Sequence, residues 1–229
     1  HRPPSEAGLA RARRAAASAS VGSDDVAVDL GGGRGHHAAV WRDFGARPVV
    51  IDPARGMAAE AATLEGVAVI RAAAQVLPLF GGCARLAYFH LSIHYGDWRR
   101  SLEEATRILE PGGECWIWTM GARHHRASFL ARWFPSVGRI DAARFPDPLQ
   151  IAAHLDAAGT VVETGKEIES KTRTAGSWRD AVEARFVSTL QLIPDDEFAR
   201  GLDEFDRAYP DRDEPVEYVL TFDWLRAIA

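Results

Sequence analysis

Short apolar runs alternate with helical segments through the first two thirds of this chain, and this alternation constrains the fold more than any other feature. Apolar runs of strand length lie at 26–30, 48–52, 67–70, 86–91 and 114–119. Such alternation predicts βαβ units with right-handed crossovers, and therefore a mostly parallel sheet covered by helices on both faces. Ligands bind such sheets beyond the carboxyl ends of the strands, where the strand order reverses. We therefore expect a site where the first, second and fourth strands end.

The other segments predict the helices and the last strands. Helical spacing predicts helices at 37–44, 54–64, 98–109, 147–158, 177–190 and 195–207, after an Ala- and Arg-rich helix within residues 1–20. Two further strands are predicted at 161–168 and 216–222. Because 229 residues with 47% hydrophobic content support one sizeable core rather than two, we predict a single domain over 1–229.

Composition argues against several classes of protein. The formal net charge is −5 at pH 7, which disfavours a nucleic-acid partner. The apolar runs are too short to cross a membrane. Cys83 and Cys115 stand in apolar segments, which favours buried thiols in a reducing, cytoplasmic compartment. We predict no metal site, because the adjacent histidines at 36–37 and 124–125 would point about 100° apart on a helix.

The glycine-rich segment 29–35, Asp-Leu-Gly-Gly-Gly-Arg-Gly, follows the first strand and opens a helix. Glycines there permit a sharp turn and the close approach of a ligand, and the helix N-terminus favours a polar or anionic group. Asp52 closes the second strand, where a carboxylate can accept hydrogen bonds from both hydroxyls of a ribose. The glycines alone are also compatible with a tight turn, and Asp52 with a helix N-cap.

The spacing of the glycines limits the choice of nucleoside. A dinucleotide fingerprint needs a third glycine where this chain has His36, and no G-x-x-x-x-G-K-[ST] motif occurs. The spacing disfavours a nicotinamide-dependent reductase, excludes a P-loop and suits a ligand without a pyrophosphate.

The sequence resembles class I S-adenosylmethionine-dependent methyltransferases of the small bacterial, ubiquinone-biosynthesis-like type. Five stretches in the family's order carry the resemblance: Val-Asp-Leu-Gly-Gly-Gly-Arg-Gly at 28–35, Val-Ile-Asp-Pro at 50–53, Leu-Pro at 77–78, Ile-His-Tyr at 93–95, and the helix 101–109 followed by Glu-Pro-Gly-Gly. The resemblance implies a Rossmann-like, doubly wound α/β fold. Its mostly parallel seven-stranded sheet would have an antiparallel last strand preceded by a helical insertion.

The resemblance also implies roles for particular residues. Those expected to bind S-adenosyl-L-methionine, and S-adenosyl-L-homocysteine as the product, are Asp29, Gly31, Gly33, Gly35, Asp52, Pro53, Met57, Gln75, Val76, Phe89 and His90. Asp29 would hold the amino group and Asp52 the ribose. Met57, Gln75 and Val76 would flank the adenine, and Phe89 and His90 would border the methionine end.

The acceptor side is less defined. His94 and Tyr95 are expected near the transferred methyl group, with His94 as a candidate general base. Segment 169–215 is expected to form the helical insertion and to cover the acceptor site. The cluster Arg123, Arg126, Arg132, Trp133 and Phe134 is compatible with an anionic or aromatic acceptor, and also with a solvated basic face. We expect a small-molecule acceptor, and a monomer or homodimer without nucleic-acid or membrane partners.

Two departures from the family motivate an alternative. Ala73 stands where the family often has an Asp that contacts the adenine, and Ala84-Arg85 stands where it often has Phe-Asp. Losing one charge-assisted hydrogen bond costs about 1.5–3 kcal/mol. The alternative is therefore a non-catalytic or repurposed binding or scaffold protein that keeps the fold.

Overall fold

A computed structural model describes residues 5–229 and begins with the N-terminal helix expected within residues 1–20. Helix α1, Glu6–Ser18, is capped by Ser5, whose Oγ accepts the Gly8 N–H at 3.1 Å. Residues 1–4 lie outside the described residues. None of the helices within 5–229 combines the length and apolar character needed to cross a membrane.

The seven strands form one sheet in the order β3-β2-β1-β4-β5-β7-β6. They are β1 Val26–Leu30, β2 Arg47–Ile51, β3 Ala68–Ile70, β4 Ala84–His90, β5 Leu109–Thr119, β6 Val161–Thr174 and β7 Pro215–Ile228. Pairs among β1 to β5 are parallel. Strand β7 is antiparallel to β5, since Gly112 N–H donates to Ala229 O and Ala229 N–H donates to Gly113 O. The doubly wound prediction with an antiparallel last strand is confirmed.

Ten α-helices are found within the described residues. After α1 come α2 His36–Val40, α3 Arg55–Ala61, α4 Trp98–Ile108, α5 Ala122–Ala127, α6 Phe129–Trp133, α7 Pro135–Arg144, α8 Pro148–Ala157, α9 Ala175–Glu183 and α10 Asp195–Ala208. Short 3₁₀ turns follow α2 at Trp41–Phe44 and α9 at Ser188–Gln191. The predicted helix at 37–44 is therefore split, and the one at 177–190 is α9 plus a 3₁₀ turn.

Helix α4 shows how local sequence produces these elements. The Asp97 carboxylate caps it by accepting the Arg99 and Arg100 N–H groups at 3.0 and 3.3 Å. Leu102, Ala105 and Ile108 recur at helical spacing and are all buried. The helix ends one residue before its predicted end. Strand β5 then starts at Leu109 instead of 114, because Leu109 already pairs with Ala84, and an irregularity shifts the register before Glu114 pairs with Leu86.

The chain divides into two compact units. The first comprises residues up to 119, 148–165 and 224–229. Its core lies between the sheet strands and helices α4 and α8, and includes Leu30, Phe89, Leu102, Ile117 and Leu155.

The second unit comprises 120–147 and 166–223. Its core is aromatic, with Trp133, Phe134, Trp178 and Phe205 buried together. Helices α5 to α7 were not predicted from the sequence, and strands β6 and β7 each run six residues beyond their predicted ends.

Candidate active site

The glycine loop connects the end of β1 to the start of α2. The N–H groups of Gly31 and Gly32 donate to Ile51 O at 2.8 and 3.3 Å, and the Gly35 N–H donates to Gly32 O at 2.9 Å. Gly35 has a positive φ of 76°, and a Cβ there would stand 3.1–3.3 Å from apolar side chains. This glycine is therefore required by the turn and by packing beneath the loop.

Only one of the three consecutive glycines faces open space. A Cβ on Gly31 would lie 2.6 Å from Ser92 Cβ, and one on Gly32 would lie 2.5 Å from Asp29 Cγ. A Cβ on Gly33, which has a φ of +56°, would meet nothing within 4 Å. Gly31 and Gly32 thus make room for other protein groups, whereas the surface above Gly33 is open to a ligand.

Asp29 is a buried carboxylate at the end of β1, with 1% of its surface exposed. It accepts a hydrogen bond from the Ala38 N–H, but its Oδ2 has no hydrogen-bond partner among residues 5–229. Burial, and then the nearby charge of Asp52, raise the pKa of Asp29 to about 7. An unsatisfied carboxylate oxygen in such a place is costly unless a ligand supplies a donor.

Asp52 closes β2 and is 8% exposed. Its Oδ2 accepts the Gly33 N–H at 2.9 Å, and its Oδ1 accepts the Ala54 N–H at 2.8 Å. Each carboxylate oxygen has two lone pairs, so both can accept one more hydrogen bond. The predicted carboxylate therefore stands at the loop, beside its open glycine.

The segment after β4 supports this loop through a residue that sequence reasoning missed. Ser92 is buried, and its Oγ donates to Leu30 O at 2.5 Å. The preceding residue, Leu91, has a φ of 55° and donates its N–H to Trp118 O at 2.8 Å. A polar residue directly after a buried apolar strand was the signal available in the sequence.

His94 and Tyr95 follow in the same segment, with ring centroids 4.1 Å apart. Tyr95 is more than half exposed. The Gln75 amide, predicted to flank the adenine, donates from Nε2 to Tyr95 O at 2.8 Å. Gly96 has a φ of +84°, and a Cβ on it would collide with the Gln75 amide. Gln75 therefore joins the loops after β3 and β4.

Phe89 and His90 have surroundings that the sequence did not predict. Phe89 is 1% exposed and belongs to the core of the first unit. His90 is half-buried beside α1: its Nε2 lies 3.5 Å from Arg11 Nη1, and its ring centroid lies 4.4 Å from that of His37. Because a guanidinium can only donate, Nε2 is the unprotonated nitrogen of His90.

Burial, followed by neighbouring charges, keeps both of these histidines neutral. The pKa of His90 lies well below its ordinary value because of burial, His37 and Arg11. The pKa of His37 is lowered to about 4 by burial, His36 and Arg11. The Arg11 contact was not predicted.

The remaining predicted contacts are on exposed surface. Pro53 is exposed, Met57 on α3 is 39% exposed and Val76 in the loop after β3 is 69% exposed. Their part in binding stays a prediction. Within residues 5–229, no group of three or more His, Cys, Asp or Glu is placed to hold a metal ion.

The geometry defines a doubly wound α/β protein with a polar, glycine-lined site at the carboxyl ends of β1, β2 and β4. Residues 28–117 match the family described as "Methyltransferase domain". The ubiquinone/menaquinone biosynthesis C-methyltransferase UbiE of Acidiphilium cryptum is 35% identical over 99 residues, which are 38% of each chain. This chain thus matches well under half of that relative's length.

Solved structures show the same fold. The YcgJ protein of Bacillus subtilis has a TM-score of 0.68 at 15% identity, covering 95% of this chain and 97% of that one. Geranyl diphosphate C-methyltransferase of Streptomyces coelicolor, solved with S-adenosyl-L-homocysteine, has a TM-score of 0.60 at 18% identity, covering 96% and 78%. Residues 28–117 are therefore similar to a methyltransferase domain, in agreement with the class I S-adenosylmethionine-dependent family.

Proposed function

We propose that this protein is an S-adenosylmethionine-dependent methyltransferase that transfers a methyl group to a small organic molecule. The observation that supports this most is the pairing of a buried, unsatisfied Asp29 oxygen with the open face of Gly33. Asp52 stands beside that glycine and is tied to it by a hydrogen bond. These residues offer acceptors for an ammonium and a ribose diol, and a surface without side chains between them.

The residues present fit this donor, whose sulfonium supplies an already activated methyl group. Asp29 would accept from the amino group, and Asp52 would accept from the ribose hydroxyls with its remaining lone pairs. Gly33 would let the backbone lie against the donor. The protein's further task is to align the acceptor and to exclude water.

We place His94 and Tyr95 beside the transferred methyl group, with His94 as the general base when the acceptor must lose a proton. Support comes from their position directly after β4, in the segment that Ser92 and Gln75 attach to neighbouring loops. The covering of the acceptor site by 169–215 stays a prediction.

A small-molecule acceptor is supported by the names of two similar proteins, a geranyl diphosphate C-methyltransferase and a C-methyltransferase of ubiquinone/menaquinone biosynthesis. We propose a cytoplasmic monomer or homodimer that acts without nucleic-acid or membrane partners. The net charge of −5 supports the absence of a nucleic-acid partner.

Of the two departures that motivate the alternative scaffold function, the one at Arg85 has a structural explanation. Arg85 donates from Nε to Ala19 O at 2.6 Å and lies 3.5 Å from Glu110 Oε1, so it anchors the chain after α1. Its presence is explained without reference to a cofactor. Ala73 is exposed, and the absence of an Asp there remains the departure that bears on adenine affinity.

Calorimetry with S-adenosyl-L-methionine and S-adenosyl-L-homocysteine tests the proposal, together with mass spectrometry of the purified protein for a co-purified nucleoside. We expect both compounds to bind, and NADH titrated as a control to give no signal. Failure of both to bind at high micromolar concentration would favour the scaffold. Binding of NADH alone would favour a reductase.

A further inference from the structure

Four exposed arginines gather on helices α5 to α7 of the second unit: Arg123, Arg126, Arg132 and Arg139, here called the arginine surface. The stretch 122–144 contains five arginines and a single carboxylate, Asp141, in a chain whose net charge is −5. Such a local excess of one sign creates a positive potential at the surface.

The four arginines lack ion pairs, unlike most others in this unit. None of them lies within ion-pair distance of a carboxylate among residues 5–229; Arg139 contacts the Ser136 hydroxyl, and Arg132 lies over the Trp133 ring. Among the other arginines of the second unit, those that pair with carboxylates are Arg144 at the end of α7, Arg179, Arg185, Arg200 and Arg212. Arginines without an ion pair are therefore concentrated on α5 to α7, although Arg144 at the end of α7 is paired.

The three helices that carry these arginines pack closely against one another. At the close approach of the three helices, a Cβ on Gly138 would stand 2.8 Å from His125 O, 3.0 Å from Ala131 Cβ and 3.4 Å from Arg126 Cα. Arg139 follows Gly138 directly, and Arg132 follows Ala131. Arg123 lies one helical turn before Arg126 on α5.

Two acidic groups on or beside these helices already have partners. Asp141 accepts a hydrogen bond from the Thr189 hydroxyl and pairs with Arg144. Glu197 accepts the Ser136 N–H at the start of α7. His125 adds no charge, because burial lowers its pKa to about 4.

A buried donor accompanies the exposed ones. Trp133 is 7% exposed, and its indole Nε1 has no hydrogen-bond partner among the described residues. The Arg132 guanidinium lies 4.9 Å from the centroid of its ring. The guanidinium groups of Arg123, Arg126 and Arg132 are exposed and have no ion pair among the described residues, which suits a ligand rich in anionic oxygen.

We propose that the arginine surface binds a small molecule bearing a phosphate or diphosphate group. Guanidinium groups match such oxygens in a bidentate manner, and several of them together favour a multivalent anion over a single carboxylate. The proposal does not depend on methyltransferase activity, since the second unit alone supplies the four arginines.

Calorimetry of the full chain with inorganic pyrophosphate at low ionic strength tests this directly. We expect wild-type protein to bind at millimolar pyrophosphate or below, and binding to weaken with added salt. The double variant Arg126→Ala/Arg139→Ala should bind about tenfold more weakly, because two charge-assisted contacts are lost. Arg126→Lys should retain part of the affinity, since the charge remains while the planar fork is lost.

Arg200→Ala is the matched control, because Arg200 is an exposed arginine of the same unit that already pairs with Asp196. Its pyrophosphate affinity should stay within about twofold of wild type. Absence of binding by wild-type protein would overturn the proposal, and so would an equal loss in Arg200→Ala. Measuring S-adenosyl-L-homocysteine binding in parallel separates this outcome from failure of the proposed methyltransferase function.

Discussion

Acidification is expected to weaken binding of the methyl donor, because Asp29 must be ionised to hold the donor's ammonium group. In the ligand-free protein, burial and the Asp52 charge raise the pKa of Asp29 to about 7. An ammonium beside the unpartnered Oδ2 would stabilise the carboxylate and lower this pKa. Donor binding should therefore release a proton below neutral pH.

The size of the effect follows from that pKa. About half of the Asp29 carboxyls are ionised at pH 7 and about one in eleven at pH 6, so affinity should fall about fivefold over that interval and about tenfold for each further unit. Above pH 7 the donor's own α-amino group loses its proton near pH 7.7–8.0. We therefore expect the highest affinity at about pH 7.5.

Calorimetry with S-adenosyl-L-methionine from about pH 5.5 to 7.5, in buffers of different ionisation enthalpy, measures both affinity and proton release. We expect close to one proton released per donor at about pH 6. Asp29→Asn keeps the side-chain shape without an ionisable group, so it should bind weakly and without this pH dependence. A wild-type affinity that is constant between pH 5.5 and 7, or proton uptake on binding, would refute the reasoning.

The same group links pH to folding stability. Because the pKa of Asp29 is higher in the folded chain than its ordinary value of 3.8, the folded state binds more protons between about pH 4 and 7. The free energy of unfolding should therefore fall as pH rises through this window. The total fall is up to about 4 kcal/mol, which corresponds to the rise in the pKa of Asp29 from 3.8 to about 7. In Asp29→Asn the melting temperature should decline less over the same range.

Three further experiments test the site and the second unit. Gly33→Ala and the control Gly159→Ala both place a Cβ in open space at positive φ, so each should cost about 1–2 kcal/mol of stability. Only Gly33→Ala should lose donor affinity in calorimetry. Equal donor affinities of the two variants would exclude a ligand above Gly33. Asp52→Asn should weaken donor binding by about 1.5–3 kcal/mol, whereas His94→Ala should change it less than about twofold; the reverse order would move the ribose contact elsewhere. Gly201→Ala should lower stability by about 1–3 kcal/mol, seen in thermal melts, because its Cβ would stand 2.6 Å from a backbone oxygen in the aromatic core; an unchanged melting temperature would contradict the tight packing.

The first unit was predictable because its local and long-range signals agree. Strand β1 reads as a buried apolar run, and α4 has an N-cap and a strict helical stripe. Elements that depend on tertiary contacts could not be predicted from the sequence. Helix α5 has six residues and α6 has five, too short for periodicity to reveal, and the extra length of β6 and β7 comes from pairing in the sheet rather than from an apolar pattern.

In the candidate site, the positions of the backbone turn and of the charged groups were predictable from the sequence. Asp29, Gly33 and Asp52 stand together as expected. The sequence could not show that Gly32 makes room for the Asp29 carboxylate, or that Ser92 fills the space beside Gly31. Both facts depend on which side of the loop each missing Cβ would face, and a run of three glycines carries no information about that.

The buried Asp29 carboxylate lowers the stability of the folded chain. A Cβ on Gly32 would lie 2.5 Å from Asp29 Cγ, so the carboxylate fits only because residue 32 is glycine, and Asp29 Oδ2 is buried without a hydrogen bond. An Asn at the same place would avoid the charge, and a longer side chain at position 32 would push the carboxylate aside. A charged group kept at such cost is best explained by a cation that binds it, because binding then recovers the desolvation energy that folding spent. If Asp29→Asn proved both more stable and equally able to bind the donor, that explanation would fail, and the buried carboxylate would need another ligand.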